Sequence, residues 1–88
     1  MFIIELSRKA QKQFDSIKDE KITKTIRVTL KCLEFDPVPA KNYDVKKLEG
    51  LEDTFRIRLG KIRIVYTILW KEKAIIVSRI EKRGTVFD

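Results

Sequence analysis

The sequence has no histidine, one cysteine, three glycines and two prolines in 88 residues. Without an imidazole, Ser-His-Asp and Cys-His catalysis are excluded, because each needs a ring nitrogen to move the proton. The same absence, with Cys32 as the lone thiol, removes the soft ligands of a zinc site, so neither metal nor cofactor is expected. One cysteine cannot build a disulfide framework, which fits a reducing compartment. So few glycines and prolines argue against a low-complexity or disordered chain. No run approaches the roughly 18 apolar residues that would span a bilayer. The apolar opening Met1-Phe2-Ile3-Ile4-Glu5-Leu6 lacks the charged flank and small-residue cleavage site of a secretory signal. The expectation is one cytoplasmic domain over residues 1–88, away from membranes. Its chemistry must run on arginine, lysine, tyrosine, carboxylates or hydroxyls.

Charge is what the chain has in quantity. It carries 20 Lys+Arg against 13 Asp+Glu, a formal charge of +7. Residues 1–53 hold 11 basic and 10 acidic side chains, whereas residues 54–88 hold 9 basic and 3 acidic. The excess therefore sits almost wholly in the last 35 residues. A local cationic field of this kind favours nucleic acid or an acidic protein partner over a neutral ligand.

The hydropathy pattern predicts an α+β chain. Phe2 to Leu6 reads as a first strand, and Ser7 can cap a helix over residues 8–18 with Ala10, Phe14 and Ile17 on one face. After Lys18-Asp19-Glu20, a second helix over 20–35 carries Ile22, Ile26, Leu30 and Leu33 on one face, making a helical hairpin. Asp36-Pro37-Val38-Pro39 ends it, since proline can neither donate to the helix ladder nor tolerate helix before it. Residues 36–53 read as an irregular, charged connection.

The remainder reads as β-structure. Phe55, Ile57 and Leu59 alternate with Thr54, Arg56 and Arg58, and Ile62, Ile64, Tyr66, Ile68 and Trp70 share one face of the next strand. Gly60-Lys61 suits a two-residue type II′ turn, which wants glycine first. That turn sets Leu59 opposite Ile62, Arg58 opposite Arg63 and Ile57 opposite Ile64. Arg56, Arg58 and Arg63 then share the face away from the apolar set. Like charges directly opposite one another destabilise a strand pair, and a local rule broken this way marks a candidate polyanion site. A final strand, Ala74 to Ile80, is too continuously apolar in Ile75-Ile76-Val77 for its facing to be read.

The β-α-α-β-β-β order, the segment Lys47-Leu48-Glu49-Gly50, the run from Phe55 to Tyr66 and the closing Lys82-Arg83-Gly84 together resemble the RelE branch of the RelE/ParE toxin superfamily. The resemblance covers essentially the whole chain. It implies a helical hairpin packed on a small, mainly antiparallel sheet, related to microbial ribonucleases. It implies a type II toxin that enters the ribosomal A site and cleaves mRNA there, and a small acidic RelB-like antitoxin in a hetero-oligomer. The implied reaction is metal-independent attack of a ribose 2′-OH on the adjacent phosphate, leaving a 2′,3′-cyclic phosphate. Arg58, Arg63 and Arg83 fall at the family's catalytic positions. Lys47, Leu48, Arg56, Lys82 and Phe87 fall at positions that would contact RNA or the ribosome. Two departures stand out. Arginine replaces the lysine that some members carry at position 58, and its high pKa disqualifies it as a general base. Phe87 stands where some members have a terminal tyrosine. Glu81, the carboxylate nearest the cluster in sequence, is either a base or an ion-pair partner. The alternative within the superfamily is a ParE-like gyrase inhibitor, and a third reading is a catalytically silent nucleic-acid binder.

Overall fold

The computed structural model describes residues 1–82. Seven elements follow in chain order: β1 (Ile3–Leu6), α1 (Arg8–Asp15), α2 (Glu20–Leu33), β2 (Asp44–Lys47), β3 (Thr54–Leu59), β4 (Ile62–Leu69) and β5 (Ala74–Lys82). The five strands form one sheet in the order β1-β5-β4-β3-β2, with β1 parallel to β5 and every other pairing antiparallel. The expected α+β class and the helical hairpin on the sheet are both present.

The local causes are visible. Ser7 caps α1 by accepting the Ala10 N–H at 3.0 Å, and Asp19 caps α2 by accepting from Lys21 and Ile22, as short polar side chains do for orphan first-turn donors. The first helix stops at Asp15 rather than residue 18. There the Ser16 hydroxyl donates to the Gln13 carbonyl at 2.8 Å, and Asp19 needs extended backbone to cap the next helix. Gly60 has φ of 58°, as the first position of a type II′ turn requires, and the hairpin register is the expected one, with Arg58 opposite Arg63.

Two further expectations change. The connection over 36–53 contains the edge strand β2, paired antiparallel to β3 through Asp44↔Arg58 and Lys46↔Arg56. Only Val45 of that strand is apolar, so alternation gives no signal, and its ladder bonds to β3 define it. Trp70 is not on the core face. The strand ends at Leu69, and Trp70 lies in the following turn, half-exposed, with its ring edge-to-face with Phe2 at 5.7 Å.

The core lies between the helices and one face of the sheet. Ala10, Ile26 and Leu33 from the helices meet Ile57, Ile62, Ile64, Tyr66, Ile68, Ile75, Val77 and Ile80 from the strands, all buried. Each such aliphatic side chain contributes about 1.5–3 kcal/mol relative to exposure. The Tyr66 hydroxyl donates to the Pro37 carbonyl at 2.6 Å, which fastens the α2 exit to the sheet. Burial, helped by the Asp36 charge, raises the Tyr66 pKa, so its phenol stays neutral.

Candidate nucleic-acid interface

The face of the sheet away from the helices carries the charge. Across four strands one row runs Asp44–Arg58–Arg63–Glu81, and the next runs Lys46–Arg56–Val65–Arg79. The predicted trio of Arg56, Arg58 and Arg63 therefore does share a face. Lys46 and Arg79 join it, and the sequence reading missed both. Lys46 is missed with its strand.

Arg79 is missed because strand alternation is interrupted. Tyr66 pairs with Val77 but Val65 pairs with Arg79, so Ser78 is an extra residue on β5. Such a bulge shifts the side-chain phase by one. Continued strictly from Ile75 and Val77, the pattern would aim Arg79 and Glu81 at the core. With the bulge, Ile80 enters the core and Arg79 and Glu81 turn to the charged face. The bulge is pinned by distant groups: Ser7 Oγ donates to the Ser78 carbonyl at 3.1 Å, and the Ile80 N–H donates to Gln13 Oε1 at 2.8 Å.

The like-charge pair Arg58–Arg63 is not left uncompensated, contrary to the sequence reading. Glu81, only 4% exposed, accepts on Oε1 from Arg63 Nε and Nη2 at 3.2 and 2.8 Å, and on Oε2 from Arg79 Nη1 at 3.0 Å. Asp44 lies 3.4 Å from Arg56 and 4.0 Å from Arg58. Burial by itself would raise the Glu81 pKa, but hydrogen bonds and charge from Arg63 and Arg79 outweigh it and hold the carboxyl below the ordinary glutamate range. Both oxygens are engaged and the group is weakly basic, so Glu81 is an ion-pair partner, the second of the two roles open to it.

Exposure divides the arginines. Arg56 is folded against β2, its side chain 13% exposed, with Nη1 also 3.4 Å from the Asp44 carbonyl. Arg58, Arg63 and Arg79 are open at 57, 41 and 50%. A guanidinium has five N–H donors. Arg63 spends two on Glu81, and among the described residues Arg58 has only its long contact to Asp44. Open guanidinium groups side by side suit the oxygens of phosphate groups.

Of the other candidate residues, those within the described part of the chain lie apart from this cluster. Lys47 shares the register row of Phe55, and Lys82 that of Ile62, so neither is on the arginine face. Leu48 follows β2, half-buried, its N–H on the Thr54 carbonyl at 2.9 Å. Arg83 and Phe87 fall outside the described residues. Among the described residues no helix is long and apolar enough to cross a membrane.

This architecture, two helices on one side of a five-stranded sheet, is that of the RelE toxins. The RelE of the archaeal RelE–RelB complex from Pyrococcus horikoshii OT3 superposes with a TM-score of 0.83 at 30% identity, covering 94% of this chain and 96% of that one. The isolated RelE toxin of Escherichia coli shares the fold at a TM-score of 0.81 and 18% identity, over 96% of this chain and 86% of that one. A protein named as RelE1 toxin in Methanocaldococcus jannaschii is 28% identical over 82 residues, 93% of this chain and 90% of that one. By sequence, the model for the ParE toxin of type II toxin–antitoxin systems matches residues 4–87. The chain belongs to that toxin family, as a RelE-like member.

Proposed function

We propose that this toxin is a ribosome-dependent endoribonuclease that cleaves mRNA in the A site and so stops translation. The observation that carries the reading is the set of open guanidinium groups that β3, β4 and β5 present on one face. With no histidine in the chain and no arginine able to act as a base at neutral pH, catalysis rests on charge. The ribose 2′-OH attacks the adjacent phosphorus, the bond to the 5′-oxygen breaks, and a 2′,3′-cyclic phosphate and a 5′-hydroxyl result. Arg58 orients the phosphate and stabilises charge in the transition state. Arg63, steadied by Glu81, holds a non-bridging oxygen, and Arg83 joins it and donates toward the leaving 5′-oxygen. The proton of the 2′-OH passes to water or to a group of the ribosome. Lys47, Leu48 and Lys82, off the arginine face, serve ribosome and RNA contacts, and so does Phe87.

The partner is a small acidic antitoxin of RelB type, as in the RelE–RelB complexes of Pyrococcus horikoshii and Methanococcus jannaschii. The formal charge of +7 favours such a partner, which would cover the arginine face and block RNA at once. The match to the ParE family model favours a second reading, inhibition of DNA gyrase without nuclease activity. Expression from an inducible promoter separates the two. We expect protein synthesis to stop before DNA synthesis, and primer extension to reveal new mRNA 5′ ends within open reading frames. Arrest of DNA synthesis first, with mRNA intact, would overturn the nuclease reading in favour of gyrase.

A further inference from the structure

We propose that Arg79 is a further phosphate-binding residue of this site, and that Glu81 is the positioning residue that fixes Arg79 and Arg63 as a pair. The inference rests on the reading of the arginine face as an RNA site. It extends that site onto β5, beyond the arginines that the family resemblance picks out.

The geometry supports it in three ways. One carboxylate bridges two guanidinium groups, Oε1 to Arg63 and Oε2 to Arg79, so the trio keeps a net positive charge. Glu81 is buried, whereas both arginines stay about half-open, so the unspent donors point outward from a fixed base. Arginine fixed in this way loses little rotamer freedom on meeting a phosphate, which is the advantage of a preorganised site. The β5 bulge is the second observation. It turns Arg79 and Glu81 together out of the core phase, and Ser7, which caps α1, and Gln13 of α1 hold it there. A buried carboxylate needing counter-ions would be avoided more simply by an apolar residue at that position. Third, Arg79 lines a groove along the end of α1 whose charged residues are Lys9, Lys18, Lys82, Asp19 and Glu81, a net positive set with Arg79 included. The chain of phosphates leaving Arg63 thus has a net cationic path across β5 toward α1. The ligand is single-stranded RNA, held by its backbone.

Two measurements on the full chain test this. The first is binding of a fluorescent single-stranded RNA across a salt series; the second is single-turnover cleavage of mRNA on programmed ribosomes. For Arg79→Ala we expect the slope of log affinity against log salt to shrink by about 0.7, one phosphate contact on a single strand. The same charge removed from α2, in Lys24→Ala, should leave the slope unchanged. In cleavage, Arg79→Ala should raise the half-saturating toxin concentration by about tenfold, more than it lowers the maximal rate. Arg79→Lys, which keeps the charge, should recover most of the binding. Glu81→Gln separates positioning from simple electrostatics. It makes the protein more positive, so a diffuse field predicts tighter binding and faster cleavage, whereas loss of positioning predicts slower cleavage. Thermal melts identify any variant that fails to fold, and Arg79→Lys then carries the comparison. An unchanged salt slope in Arg79→Ala would overturn the assignment of Arg79, even with cleavage by the wild type intact. Faster cleavage by Glu81→Gln would overturn the positioning role. Wild-type protein that leaves programmed mRNA whole would instead overturn the nuclease reading, with Arg79 still judged by its slope.

Discussion

The two faces of the same sheet obey opposite rules. Toward the helices, Ile57, Ile64 and Ile80 lie in register across β3, β4 and β5, all fully or nearly fully buried. One residue along each strand, on the other face, the row is Arg58, Arg63 and Glu81. The apolar row is closed by α1 and α2, and the arginines of the charged row are left open to solvent with donors to spare. Period-2 alternation therefore lets one hairpin carry a buried apolar row on one side and open arginines on the other. The two sides should fail separately.

The largest expected effect on folding is on the apolar face. Ile64→Ala leaves a cavity between Ile57 and Ile80 and should cost about 2–5 kcal/mol, seen as a melting temperature lowered by about 10 °C or more. The fraction still folded should cleave mRNA normally. Ile64→Ala protein that melts normally but has lost cleavage would break the division between the faces.

Glu81 sits where the two faces come closest to sharing a burden, being buried yet charged. Glu81→Gln should cost about 1.5–3 kcal/mol at neutral pH, the worth of hydrogen bonds to charged groups. The folded-state pKa is depressed, so this stabilisation is fully present above about pH 4.5 and is lost as pH falls through the folded value. Urea titrations should therefore show wild type and variant converging on acidification. A gap that widens with acid would mean that Glu81 is held protonated.

Much of this was legible in the sequence, and the failures share a cause. The hairpin register followed from Gly60 and strict alternation over Thr54–Leu59 and Ile62–Leu69, both of which are local properties. Helix faces followed from spacing: Ile26 and Leu33 are buried as expected, with Ile22 and Leu30 packed against the core. What did not follow was non-local. The bulge that re-aims Arg79 and Glu81 depends on Ser7 and Gln13, which lie 71 and 67 residues from their partners in sequence. The strand β2 is made by ladder bonds to β3, with almost no hydropathy of its own. Arg58 opposite Arg63 looked like an unrelieved clash because Asp44 and Glu81, which relieve it, come from those two illegible elements.

The central claim is that the open arginines of the charged face act on RNA and contribute little to folding, and Arg58→Ala tests it most directly. Arg58 is exposed and, among the described residues, has only the 4.0 Å contact to Asp44, so stability should change by no more than about 0.5 kcal/mol. Loss of its charge at the phosphate should slow cleavage on programmed ribosomes by about 100-fold or more. Unchanged melting with that loss is the predicted result. Cleavage by Arg58→Ala at the wild-type rate would contradict the account.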